Sequence, residues 1–229
     1  MPLQLDHVFV CCDAGAPEAA VLLEHGIREG TSNVHPGQGT ANRRFFFDNG
    51  FLELLWVTDP AEAQNPLTRR TRLWERWSGR ASGACPFGVA FRPSGAEVDA
   101  PPFPVWSYKP IYLPDGRHIL FADVADLREP ELFYLAWPAT VSSTGVNSTQ
   151  HPVPLQSLVS VNVGLPYTAP LSDAASAALS AGLVVFHESA SYELIMKFES
   201  PVEVLLDLRP VLPVVLLGSP SAQPNRHAT

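Results

Sequence analysis

The chain has 229 residues, of which 46% are hydrophobic and 17% charged, and its formal net charge is -8. That length and apolar content support a folded core without covalent staples and exclude a disordered chain. The net acidity excludes a general nucleic-acid binder, because neutralising phosphates takes basic patches.

Residues 3–11 read as a strand, and 16–25 as a helix with Pro17 in its first turn and Gly26 at its stop. A short strand is expected near 27–30, then a polar loop over 31–40. Residues 42–47 and 51–57 form two strands around Asp48-Asn49-Gly50, a hairpin signal. Residues 59–84 are a linker with a helix over 67–78, whose Arg69, Arg70, Arg72, Arg76 and Arg80 read as a solvated face. Residues 86–92 make another strand; the Pro-rich stretch 93–114 holds only short extended pieces. Strands are expected at 117–122 and 131–137. In the last third come a strand at 155–163, a helix at 171–181 stopped by Gly182, and strands at 183–187, 192–198 and 202–208.

The strand–helix–three-strand order thus recurs, giving an α+β fold of repeated βαβββ modules with paired, curved mixed sheets. The units are an N-terminal module at 1–58, the linker at 59–84, a degraded second module at 85–150, a C-terminal module at 151–217 and a disordered tail at 218–229. Setting Leu3-Gln4 against Leu155-Gln156 places Val159 opposite His7 and the Glu203 strand opposite the Glu53 strand.

The chemistry concentrates in two places. Glu53 is a lone carboxylate among Phe51, Leu52, Leu54, Leu55 and Trp56, and His7 is a lone imidazole in an apolar first strand. A buried carboxylate needs a hydrogen bond, a counter-charge or a metal. Alternation puts His7 on a face with Leu5, Phe9 and Cys11. The bland alternative is a His–Glu hydrogen bond in the core. The second place is the loop His35-Pro36-Gly37-Gln38-Gly39-Thr40-Ala41-Asn42-Arg43. Its glycines allow backbone to approach a ligand, and Asn42, Arg44 and Phe46 share one strand face. Here the alternative is a self-capping loop held by His35 and Thr40, with Arg43 or Arg44 paired to Glu53. His118, His151 and His187 lack ligand spacing and read as structural or surface residues. Trp106, Tyr108 and Tyr112 either pack over the core or line a ligand mouth. Cys11, Cys12 and Cys85 lack a Cys-x-x-Cys pattern and read as reduced thiols of a cytoplasmic protein. The N-terminus has no basic n-region, and the longest apolar run, 210–217, is too short to span a bilayer.

Leu5-Asp6-His7-Val8, the HPGQGTAN loop and Phe51-Leu52-Glu53-Leu54-Leu55 together resemble the vicinal-oxygen-chelate superfamily of glyoxalase and bleomycin-resistance proteins. Within it, they are similar to the glyoxalase-like domain group. The resemblance implies a cup holding a divalent metal (Zn, Mn, Fe or Mg), with His7 and Glu53 as ligands. Glu131 is the expected third, and Glu129 and Glu203 are alternatives. It implies Lewis-acid stabilisation of an enediolate or oxyanion on a substrate with neighbouring oxygens, by isomerase, lyase or dioxygenase chemistry. Glu53 and Glu131 would be catalytic; His35, Thr40, Asn42 and Arg44 would bind substrate. The alternative is a metal-free protein that binds or sequesters a small molecule, of the bleomycin-resistance type. A homodimer is a further expectation; nucleic-acid and membrane partners are not expected.

Overall fold

The computed structural model describes residues 3–94, 100–101, 103–123, 126–137 and 149–220. The first unit is β1 (Leu3–Cys11), α1 (Ala19–Glu24), β2 (Asn33–His35), β3 (Thr40–Phe46) and β4 (Phe51–Val57). A connector follows with α2 (Pro60–Ala63), a 3-10 turn (Arg69–Thr71) and α3 (Leu73–Gly79). The second unit is β5 (Phe87–Pro93), β6 (Val105–Tyr108), β7 (Ile119–Ala122) and β8 (Glu131–Leu135). The third is β9 (Leu158–Leu165), α4 (Asp173–Ser180), β10 (Val184–Glu188), β11 (Glu193–Glu199), β12 (Val204–Asp207) and β13 (Val214–Ser219).

The first two units share one curled sheet in the order β2-β3-β4-β1-β5-β8-β7-β6. Its centre is the antiparallel pair β1–β5, with Val8 opposite Val89. On either side the first strand of each unit pairs in parallel with that unit's last: β1 with β4 and β5 with β8. The two halves are therefore related about Val8 and Val89. The back of this sheet (Val8, Val10, Leu52, Leu54, Val89, Leu132) packs in one apolar core with Val161, Val163, Met196 and Leu216 of the second sheet. The concave face carries a separate cluster, Phe9, Leu55, Ala90, Phe121, Phe133 and Leu135, with Leu73 of α3 packed against it.

The second sheet runs β10-β9-β11-β13-β12. Its element order resembles that of the first unit, but β9 pairs with β10 in parallel and with β11 antiparallel rather than with its last strand. β13 is an additional strand built from the 210–217 apolar run, and it continues through Gly218 and Ser219, residues assigned to the tail in the sequence reading. The tail residues 221–229 lie outside the described residues. The short strand expected near 27–30 sits later, as β2.

The arginine-rich segment is two short pieces rather than one helix. Arg72 adopts a left-handed conformation (φ 55°) between the 3-10 turn and α3. Nor is it wholly solvated. Arg76 is 2% exposed, donates to the carbonyls of Cys85 (2.6 Å) and Glu129 (2.8 Å), and lies 3.4 Å from the Glu131 carboxylate. A guanidinium suits this place because its fork satisfies carbonyls and a carboxylate at once.

His151 ties the third unit to the first. Its Nδ1 accepts from the Arg28 N–H at 2.9 Å, so Nε2 carries the proton and donates to the Phe46 carbonyl at 2.8 Å. That is a neutral imidazole. Burial pushes its pKa down, against the pull of the Phe46 carbonyl.

Two outcomes follow from this packing. Arg76→Ala strands Glu131 and two carbonyls, and should lower the unfolding free energy in urea by roughly 3–5 kcal/mol. His151 and His35, both held below the ordinary value of 6.5, bind protons more readily unfolded than folded. Their contribution to stability is complete above that value and is lost as pH falls below it. Melting temperature should therefore decline below about pH 6.5, and His151→Gln should flatten that decline.

Candidate active site in the cup

The site begins with one irregularity in β1. Leu5 pairs with Phe91 and His7 with Ala90, so Asp6 is an extra residue, a β-bulge. Strict alternation would send Asp6 to the back of the sheet. The bulge instead turns Asp6 and His7 both toward the concave face and leaves Leu5 in the core behind. The expected sharing of a face by Leu5 and His7 is thereby corrected.

His7 and Glu53 meet. His7 Nδ1 lies 2.5 Å from Asp6 Oδ1, and Nε2 lies 3.4 Å from Glu53 Oε2. Both ends of this row are anchored. Asp6 Oδ2 pairs with Arg92 at 2.9 Å. Glu53 Oε1 accepts from the Asn42 amide at 2.5 Å, and Asn42 Oδ1 accepts from the Asn33 N–H at 2.7 Å, which fixes the amide's orientation. Burial pushes the Asp6 carboxyl up, but the hydrogen bond and charge of His7 and the Arg92 guanidinium outweigh it, and the group stays below the ordinary carboxylate value. An ionised Asp6 holds the imidazole proton on Nδ1 and leaves Nε2 facing Glu53. The His7 ring is stacked on Phe51 (centroids 4.3 Å apart) and meets Phe133 edge-on at 5.3 Å.

These groups line a cavity of about 380 Å³ in the cup. Asn42, Arg44 and His35 line it as expected, and Gln38 and Tyr112 join them; Thr40 is fully buried beside it. His35 Nδ1 and Gln38 Nε2 both bond to Thr40 Oγ1 at 2.9 Å, and Tyr112 donates to Gln38 Oε1 at 2.9 Å. The HPGQGTAN loop thus caps itself. Its glycines serve the connector rather than a ligand: a Cβ on Gly39 (φ +70°) would lie 2.2 Å from the Asp59 carbonyl oxygen. Trp106 and Tyr108 pack in the concave cluster. Neither Arg43 nor Arg44 pairs with Glu53. Arg43 forms a fork with Glu29, and Arg44 donates to Thr31.

Glu131 is not part of the row. It shares the concave face of β8 with Phe133, but its carboxylate belongs to Arg76. Burial pushes its pKa up against the pull of Arg76. Glu129 accepts from the Ser172 N–H at 2.7 Å and from its hydroxyl. Glu203 precedes β12 and is exposed, and Val159 is 49% exposed on the second sheet. The relation about Val8 and Val89 explains the lack of further donors. Gly88 stands where the first half has His7, and Phe133 where it has Glu53. The Gly88 position is also filled: a Cβ there would lie 2.0 Å from the Phe9 ring.

The donor set does not fit the implied divalent metal. His7 Nε2 and Glu53 are two ligands, short of the three or four that protein sites supply. Both Asp6 oxygens and the Asn42 oxygen are engaged. Among the described residues no cluster of three His, Cys, Asp or Glu side chains can hold an ion. Asp6 and Arg92 are the members of this row that sequence reasoning missed.

The sequence profile of the glyoxalase-like domain family matches residues 5–179. No curated protein sequence matches the chain at a significant level. Among solved structures, a hypothetical protein from Staphylococcus aureus is similar with a TM-score of 0.50 at 12% identity, covering 96% of this chain and 100% of that one. Methylmalonyl-CoA epimerase from Streptomyces coelicolor, in complex with 2-nitronate-propionyl-CoA, gives a TM-score of 0.40 at 18% identity over 59% of this chain and 98% of that one. A mutant 4-hydroxymandelate synthase from Streptomyces coelicolor gives 0.37 at 15% identity over 95% of this chain and 63% of that one. With its profile matched over most of the chain, this protein belongs to the glyoxalase-like domain family.

Proposed function

We propose that the cup is the active site of a small-molecule enzyme that moves a proton next to a carbonyl group, using its own side chains as acid and base. The observation that carries this reading is the anchored row Arg92–Asp6–His7–Glu53–Asn42 at the wall of the cavity. A row of this kind holds its groups in one geometry, which proton transfer from carbon needs.

Each residue then has a role. Glu53, with one oxygen fixed by Asn42, accepts the proton from carbon at Oε2. His7, as the imidazolium with its Nδ1–H on Asp6, gives its Nε2 proton to the carbonyl oxygen as negative charge develops there. The C–H bond breaks and an O–H bond forms, leaving an enol. Where the deprotonated carbon carries a hydroxyl, Glu53 returns its proton to the former carbonyl carbon while His7 retakes a proton from that hydroxyl, which becomes the new carbonyl and resets both groups. Phe51 and Phe133 on either side of the imidazole exclude water and strengthen these interactions.

Deuterium exchange tests this reading. A panel of 2-oxo and 2-hydroxy acids in D2O should include substrates whose carbon-bound proton next to the carbonyl exchanges with wild-type protein. Glu53→Gln and His7→Ala should each slow that exchange by about a hundredfold to ten-thousandfold. Absence of exchange across the panel, or exchange that survives Glu53→Gln, would sink the proposal. Metal analysis of untagged protein should find less than one equivalent of divalent metal. A stoichiometric metal lost on His7→Ala would restore the metal-dependent reading.

A further inference from the structure

Arg44 is a cation in the cavity wall without a carboxylate. It stands directly across from Glu53 in the β3–β4 pair, yet Glu53 turns to Asn42 and His7. The guanidinium gives Nε to the Thr31 carbonyl and Nη2 to the Thr31 hydroxyl, both at 2.8 Å. Among the described residues its Nη1 has no hydrogen-bond partner and the group has no ion pair. Its neighbours differ. Arg43 has Glu29, and Arg92, the other arginine lining the cavity, has Asp6. Arg44 is half-buried, and burial lowers its pKa despite the nearby charge of Glu53. A partly desolvated guanidinium with a free N–H edge is a receptor for an anion, and carboxylate matches that edge best.

The rest of the cavity asks for a ring. The Arg44 guanidinium carbon lies 5.0 Å from the Phe46 ring and 5.6 Å from Phe51, the ring stacked on His7. Beyond His7 the wall is Phe133 and Phe121, with centroids 5.5 Å apart and planes 26° apart. A flat ligand ring packs on such a surface with more area per frozen bond than an alkyl chain does. Thus the cup has a cationic end, an aromatic end and the proton-handling pair between them.

We propose that the cup binds an aryl-bearing carboxylic acid, with its carboxylate on Arg44, its ring against Phe133 and Phe121, and the intervening carbons passing His7 and Glu53. The inference uses the same cup as the acid–base reading and deepens it, but it concerns binding alone.

Calorimetric titration with hydrocinnamate, hydrocinnamamide and butyrate separates the two. Hydrocinnamate should bind, with the amide and butyrate each at least about tenfold weaker. Arg44→Gln should bring the acid down to the level of the amide and leave the amide unchanged, and Arg44→Lys should recover part of the loss. Glu53→Gln should bind the acid at least as tightly as wild type. Retained binding without proton exchange would overturn the acid–base reading and leave this one standing. Failure of hydrocinnamate to bind, equal binding of acid and amide, equal binding of butyrate, or acid binding that survives Arg44→Gln would overturn it. If Arg44→Gln does not fold, the acid-against-amide comparison on wild type and Arg44→Lys decides.

Discussion

An extra residue in β1 changes what a strand can present. On a regular strand Asp6 and His7 would face opposite sides of the sheet, one in the cup and one in the core. The bulge turns both inward, where Asp6 sits between the His7 imidazole and the Arg92 guanidinium. A buried carboxylate with one cationic partner and one hydrogen-bonded imidazole is satisfied, and it fixes which nitrogen of His7 faces Glu53. The remaining order of the cup follows from there. Asn42 completes the second carboxylate, Asn33 holds Asn42, and the apolar walls close around a polar row with its main demands met.

The paired units are alike in backbone and unlike in chemistry. Both first strands pair in parallel with the last strand of their own unit, and both last strands reach the concave face. But the second unit offers Gly88 and Phe133 at the positions of His7 and Glu53. Its carboxylate at the foot of β8, Glu131, is committed to Arg76, which also ties together the carbonyls of Cys85 and Glu129. One unit therefore carries the His7–Glu53 pair, and the other supplies a wall and a structural ion pair.

Much of this was legible in the chain, for identifiable reasons. The β4 segment 51–57 reads directly because Asp48-Asn49-Gly50 ends one strand and an apolar run starts the next. His7 and Glu53 stood out because each is a single polar residue on an apolar face. Asp6 did not, since a bulge is set by pairing with β5, eighty-odd residues away, and leaves no periodic mark. Arg76 misled for a related reason. Five arginines in one segment look like a solvated helix face, and only the fold shows that one of them meets the buried Glu131. Glu131 itself has the right strand and the right face for a ligand; its partner lies in another element. β13 was hidden because its apolar run follows Pro210 and is rich in Pro and Val, without the alternation that marks a half-exposed strand.

Phe133 in the place of a second carboxylate has a stereochemical consequence. At the position that corresponds to Glu53 in the other half of the sheet, the cup presents a hydrocarbon ring that meets the His7 imidazole edge-on. Inverting a carbon centre takes a proton removed from one side and another delivered from the opposite side. The two halves of the sheet do not supply a matched pair of carboxylates for such an exchange; the carboxylate and the imidazole of the row stand together on the neighbouring strands β4 and β1.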